Sequence, residues 1–424
     1  MSTAMLVSLV LCFALTIPVA VSIGMSAILG VHIADANMLL SVKEIFGAIN
    51  KFPLAAVPFF ILAGNLMESG GISRRLVEFA KALVGGVQGG LPITCVLTCM
   101  IFSAVSGSSV ATTFAVGAIL IPALIKHGYP TPYAASLQAT SAELGVIIPP
   151  SIPMILFGVS AEVSIGELFI AGIGVGIFVS VALMVFVWLT CKVKGWGKHD
   201  GDGRMPLWPA MRQAVWALLM PVIILGGIYG GVFTPTEAAA VAVVYALLVG
   251  TCIHRELKPR DLLAVLQKSV ISSGVIMFII ANAGLFAYLI TRAGVPAQIG
   301  QYLQQTLDSP LLFLVGVNVA LFLIGMFIET SAAIIVLAPI LVPVAMHFGV
   351  DPVHFGMIMV VNLALGMVTP PFGVNLFAAC TVARLPVDKI IGSLLPFVLV
   401  ILACLAVITW TPALSLALRD WVYY

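Results

Sequence analysis

Leu144-Gly145-Val146-Ile147-Ile148-Pro149-Pro150 recurs 221 residues later as Leu365-Gly366-Met367-Val368-Thr369-Pro370-Pro371. The same register, without a gap, sets Pro122 on Pro343 and Gly128 on Gly349. Proline has no backbone donor and disfavours helix at the residue before it. Each Gly-x-x-x-Pro-Pro, lying inside a long apolar block, therefore breaks a helix at membrane depth and leaves carbonyls unpaired. Such carbonyls call for a cation or water, unless the break is a plain kink satisfied by neighbouring protein.

Working outward, the 424 residues are 61% hydrophobic and 8% charged, with a mean hydropathy of +1.19. That composition excludes a water-soluble globular enzyme, and a net charge of +2 is too small to track a nucleic-acid backbone. Apolar blocks long enough to cross a bilayer recur almost end to end. Spans are expected at 4–30, 53–67, 133–160, 167–191, 214–231, 234–253, 270–291, 353–381 and 390–412. The first reads as a retained span, since it lacks a basic n-region and an obvious cleavage site. The seven cysteines are scattered through apolar blocks and read as packing residues.

Two stretches, 91–126 and 310–346, are too long for one span. Ser106-Gly107-Ser108-Ser109 interrupts the first, and Gly325 to Ala333, with Glu329-Thr330-Ser331, the second. Each suits a helical hairpin that enters and leaves by one face; two full spans with a tight turn remain the alternative. Basic loops arbitrate. Lys192, Lys194, Lys198, Arg204 and Arg212, then Arg255, Lys258, Arg260 and Lys268, mark cytoplasmic segments two spans apart. Counting from them puts Arg74, Arg75 and Lys81 inside, the first hairpin entering from inside and the second from outside. The carboxyl terminus falls outside and the amino terminus inside. The repeat is then inverted, as in many secondary transporters whose ligand sites lie at helix breaks.

Glu143 and Glu329 stand out among the scarce charges, because an ionisable group at membrane depth is a functional candidate. Either carboxylate balances a cation or holds backbone N–H groups; capping near the break (Glu143) and a solvated tip (Glu329) are the plainer readings. Glu237, in Thr234-Pro235-Thr236-Glu237, reads as a capping box. The basic amphipathic stretch Ser73 to Leu83 suits an interfacial arm that touches membrane lipid. All six histidines fall in or beside loops, Gly107-Ser108-Ser109 lacks the last glycine of a nucleophile elbow, and no Walker motif is present. An intramembrane enzyme is the weakest alternative.

The tip Ser106 to Thr112, the break Glu143 to Ser151 and the run Asn362 to Asn375 resemble the large membrane subunit of tripartite ATP-independent periplasmic (TRAP) transporters, C4-dicarboxylate type, across essentially the whole chain. The resemblance implies an all-α polytopic membrane protein of the inverted-repeat, elevator type, with two re-entrant hairpins and two broken helices. It implies uptake of an organic anion, a C4-dicarboxylate, across the bacterial inner membrane, with Na⁺ as coupling ion and no other cofactor or metal. A periplasmic binding protein would deliver the substrate, and the small four-helix subunit would be a separate chain; a carrier of similar fold without a binding protein is the alternative. One Na⁺ site is implied at Ser106, Gly107, Ser108, Gly145, Ile148 and Pro150, the other at Gly325, Glu329, Thr330, Ser331, Gly366, Thr369 and Asn375. Ser108, Ser109, Pro150, Ser151 and Pro371 are candidates for the anion. The expected organisation is scaffold and arm over 1–90, a transport unit over 91–194, scaffold and second arm over 195–309, a second transport unit over 310–412 and a tail over 413–424.

Overall fold

A computed structural model describes residues 1–35, 37–198, 205–306 and 309–423. Arg204 and His199 lie outside the described residues. Among the described residues every regular element is a helix. The internal repeat is written into the helix boundaries. The second arm of the first hairpin, Ser109–Lys126, and that of the second, Thr330–His347, begin and end 221 residues apart. The next helices begin at Thr131 and Pro352, the same distance apart. Between arm and helix the chain turns at left-handed Gly128 in one copy and Gly349 in the other.

Both expected breaks are present. Thr131–Ala142 and Leu144–Ile147 give way at the paired prolines to Ile152–Ala161, with a bend of 42°. Pro352–Met367 gives way to Val374–Ala383. Proline explains the position: Gly145, Val146, Gly366 and Met367 each face a proline four residues on, where a helix needs an N–H. The first arms of the hairpins are Gly90–Ser106 and Pro310–Gly325. Each tip meets a broken helix at its break, Ser108 at Gly145 and Gly325 at Gly366, which suits a re-entrant hairpin rather than two full spans.

The amino-terminal stretch departs from the expected single span over 4–30. Ser2–Ala14 and Val19–Ile33 form a short antiparallel hairpin, in which Ser26 Oγ donates to Ser8 Oγ at 3.3 Å and Gly30 packs on Met5. Left-handed Thr16 and Pro18 make the turn. Hydropathy misses such a turn because both arms are apolar. Residue 1 and Ile33 therefore sit at the same end of the hairpin. The expected span 270–291 is part of one helix, Pro259–Arg292, of 34 residues. At about 1.5 Å per residue it outruns the bilayer core, so Lys268 sits on the helix itself.

Amphipathic Ile72–Val84 and Val295–Thr306 precede the two hairpins. The first buries Leu76, Val77 and Phe79 and carries Arg75, whose Nη2 donates to Glu256 Oε1 at 2.7 Å. The expected capping box is formed: Thr234 N donates to Glu237 Oε2 at 2.8 Å, and Glu237 N to Thr234 Oγ1 at 3.3 Å. Residues 413–423, expected as a tail, form the helix Ala413–Tyr423. It packs on Ile165–Lys194, and Arg419 reaches Asp351 at 2.7 Å and Glu167 at 3.8 Å.

Candidate functional site

At the first junction the chain leaves Gly90–Ser106 through Gly107, whose φ of +62° suits a residue without a side chain. Ile152 N donates to Gly107 O at 3.4 Å, so the tip is hydrogen-bonded to the far side of the Pro149-Pro150 break. Gly145 faces the tip so closely that a Cβ there would lie 2.7 Å from Ser108 O. Ser106 Oγ lies 3.0 Å from Thr112 Oγ1, which donates to Ser108 O at 2.8 Å. The structure thus brings Ser106, Gly107, Ser108, Gly145 and Pro150 together. Ile148 turns its side chain onto Gly176 of Ile165–Lys194 and offers only its backbone here.

The second junction uses the same logic with different residues. A Cβ on Gly366 would lie 2.5 Å from Gly325 Cα, so tip and broken helix are in backbone contact. Thr330 Oγ1 donates to Met367 Sδ at 2.9 Å, and Thr369 Oγ1 to Leu365 O at 2.8 Å, leaving lone pairs on that hydroxyl. Glu329 is neither free nor merely solvated. Its Oε2 accepts from Ala332 N at 3.1 Å and its Oε1 from Ser331 Oγ at 2.7 Å, which caps Thr330–His347. Asn375 is not brought to this tip. It points into the first repeat, where its Nδ2 donates to Ala139 O at 3.0 Å and Glu143 Oε1 at 2.7 Å and its Oδ1 accepts from Thr113 Oγ1.

Helix ends set the electrostatics. Ser108, a neutral residue, caps the first tip's Ser109–Lys126, whereas a carboxylate caps the second tip's helix. The positive end of a helix dipole is therefore offset by Glu329 at one tip and left uncancelled at the other. A cavity of about 540 Å³ opens beside the first tip, between it and the helices Ala56–Ser69 and Pro259–Arg292. Asn65, Glu68, Ser106, Ser108 and Lys268 line it. Lys268 Nζ donates to Glu68 Oε2 at 2.9 Å and Asn65 Nδ2 to Ser269 Oγ at 2.9 Å. Of the candidates for an anion, only Ser108 lines this cavity. Ser109, Pro150 and Ser151 are buried, with Ser151 Oγ donating to Val146 O at 2.6 Å, and Pro371 is exposed at the other junction. The cavity's Asn65 and Lys268 escaped sequence reading, because Lys268 read as a topology marker and Asn65 as one polar residue in a span.

Inverted hairpins, paired helix breaks and a cavity at a polar tip define a polytopic secondary carrier, a transporter rather than an enzyme. Residues 6–414 match the family model of the tripartite ATP-independent periplasmic transporter, DctM component. The chain belongs to that family and is a multi-pass protein of the inner membrane. It is 43% identical to the C4-dicarboxylate TRAP transporter large permease protein DctM of Pseudomonas aeruginosa, over 95% of this chain and 94% of that one. It is 41% identical to the isethionate TRAP transporter permease protein DctMQ of Oleidesulfovibrio alaskensis, over 94% of this chain and 63% of that protein. In fold it is similar to the Alcanivorax borkumensis YdaH transporter, with a TM-score of 0.65 at 15% identity, over 89% and 88% of the two chains.

Proposed function

We propose that this permease takes up an organic anion, a C4-dicarboxylate, driven by Na⁺ bound at the two tip–break junctions. The observation that supports it is that each tip packs backbone to backbone on the glycine that opens a break, Ser108 on Gly145 and Gly325 on Gly366, beside carbonyls whose helical donors the paired prolines remove. Neutral carbonyl and hydroxyl oxygens are the donors a hard monovalent cation takes. The two sites are not alike, since Thr369 supplies a hydroxyl where the first copy has Ile148. The anion docks at the first tip, where the helix end is uncancelled, Ser108 is accessible and Lys268 stands in the same cavity. The dicarboxylate assignment rests on the Pseudomonas relative, and the isethionate relative marks the neighbouring possibility within organic anions.

Hairpins and broken helices act as one transport unit that slides against the scaffold helices, the elevator motion. A periplasmic binding protein delivers the anion, a small membrane subunit completes the permease as a separate chain, and the carboxyl-terminal helix lies on the periplasmic side. The fused DctMQ relative shows why the separate subunit needs its own test. The experiment is uptake of labelled succinate into proteoliposomes holding this chain, with and without the cognate binding protein and small subunit. Uptake that requires an inward Na⁺ gradient and both partners is the expected result. Robust uptake without the binding protein would favour a free-standing carrier, and uptake indifferent to Na⁺ would remove the coupling reading.

A further inference from the structure

The cavity beside the first tip, where the anion docks on the proposed reading, is lined by a carboxylate that would repel one. Glu68, in Ala56–Ser69, and Lys268, in Pro259–Arg292, face it together with Ser108. Lys268 Nζ donates to Glu68 Oε2 at 2.9 Å, and among the described residues neither side chain has a second ion pair. A carboxylate so close offsets the ammonium charge that a docked anion would use. As a cement between the two helices the pair is weak, because 56% of the Lys268 side chain and 27% of that of Glu68 are exposed and solvent screens them. One residue on, the same helices are already joined by Asn65 Nδ2, which donates to buried Ser269 Oγ at 2.9 Å.

The opposite end of Pro259–Arg292 differs. About 36 Å along the helix from Lys268, a cavity of about 620 Å³ holds the cations Arg292 and Lys51. Glu44 and Glu162 line it too, yet among the described residues none of these four side chains forms an ion pair, and Lys51 Nζ donates to Val159 O at 3.4 Å. Arg255, Lys258 and Arg260 mark the Lys268 end as cytoplasmic. A masked cation therefore stands on the side where the anion leaves, and unmasked cations on the side where it enters.

We propose that Glu68 is a positioning residue for release of the anion: its carboxylate stands in for the substrate's on Lys268 and reclaims that cation as the anion departs. The proposal rests on the reading that the anion docks at the first tip beside Lys268. An anion brought to this side shares Lys268 with Glu68 and is held loosely. Once it has left, the closed Glu68–Lys268 pair disfavours its return. Only hydrogen bonds and ion pairs exchange, and the driving force stays with the coupling ion.

The test is binding of labelled succinate to the purified permease, the full-length chain with its small subunit, at saturating Na⁺, with binding-protein-dependent uptake into proteoliposomes measured in parallel. Wild type, Glu68→Gln, Lys268→Gln and the double variant are compared. Glutamine keeps the shape of Glu68 and removes its charge, so E68Q is expected to tighten succinate binding about fivefold and to lower the maximal uptake rate, because release slows. K268Q is expected to weaken binding about fivefold. In the K268Q background the gain from E68Q should shrink to less than about twofold, since no cation is left to unmask; a full fivefold gain there would mean plain repulsion and overturn the proposal. Binding in E68Q equal to or weaker than in wild type, with K268Q weakened, would overturn it while leaving the docking reading intact, and a lower unfolding midpoint as the sole effect of E68Q would make the pair structural. Binding unchanged in K268Q would remove the docking reading and the proposal with it. Should E68Q not fold, Glu68→Asp, which draws the carboxylate back by one methylene, is expected to tighten binding about twofold; unchanged or weaker binding would overturn the proposal equally.

Discussion

The two junctions are copies of one plan, yet they sit in different surroundings. Around the first break every residue from Leu144 to Met154 is buried, the tip is knitted by Ser106, Thr112 and the Ser108 carbonyl, and the cap is neutral. Around the second, Pro371 and Phe372 are exposed, the Phe327 and Phe372 rings meet tilted at 49° with centroids 5.7 Å apart, and the tip's cap is a carboxylate. The symmetric part is backbone: glycine against carbonyl, and paired prolines. The asymmetric part is side chain. On the proposed reading, the duplicated backbone would supply two places for a cation, and the divergent side chains would assign the anion to one of them.

The comparison breaks first at the glycines. Gly366→Ala places a methyl group against Gly325, and Gly145→Ala one against Ser108; overpacking of about 1–3 kcal/mol is expected to cut Na⁺-driven uptake roughly ten- to hundredfold. Gly316→Ala, with open space around its Cβ, is the control and should leave uptake unchanged. Next in size, Asn375→Ala strips Glu143 and Thr113 of their shared partner. About 2–3 kcal/mol of stability should go, read as a lower unfolding midpoint in detergent.

Thr369→Ala probes the side-chain difference, because it removes the hydroxyl that only the second junction owns. Its half-activating Na⁺ concentration should rise about fivefold, the equivalent of roughly 1 kcal/mol, whereas Ile148→Val should not move it. The smallest effect lies outside the membrane. Burial alone would raise the Asp351 carboxyl, but Arg419 and the N–H groups of His354 and Val353 outweigh it and hold the group below its ordinary value. A lowered carboxylate adds stability above its unfolded pKa and loses it as pH falls through the folded one. Arg419→Ala should therefore cost about 1 kcal/mol at neutral pH and flatten the loss of stability on strong acidification.

The repeat, both breaks and both hairpins were legible because Gly, Pro and the period of the apolar blocks act locally. The amino-terminal hairpin and the carboxyl-terminal helix were not. In the first, Pro18 was one proline in an apolar run; in the second, the ion pairs of Arg419 join residues far apart in sequence. The junction sets were legible as far as backbone decides them: Ser106 to Ser108 do meet Gly145 and Pro150, and Gly325 does meet Gly366. Asn375 was misplaced by sequence proximity. It follows Pro371 by four residues, yet its helix carries it across the seam to Glu143, a contact between repeats that no local pattern records.

The decisive measurement for the two proposed cation sites is the Na⁺ activation of binding-protein-dependent uptake in proteoliposomes. Wild type, Gly145→Ala, Gly366→Ala and Thr369→Ala would be compared, with the affinity of the binding protein for its anion measured in parallel. A weakened Na⁺ dependence in each variant and an unchanged binding-protein affinity are expected. Na⁺ activation unaltered in all three variants would contradict the two-site reading.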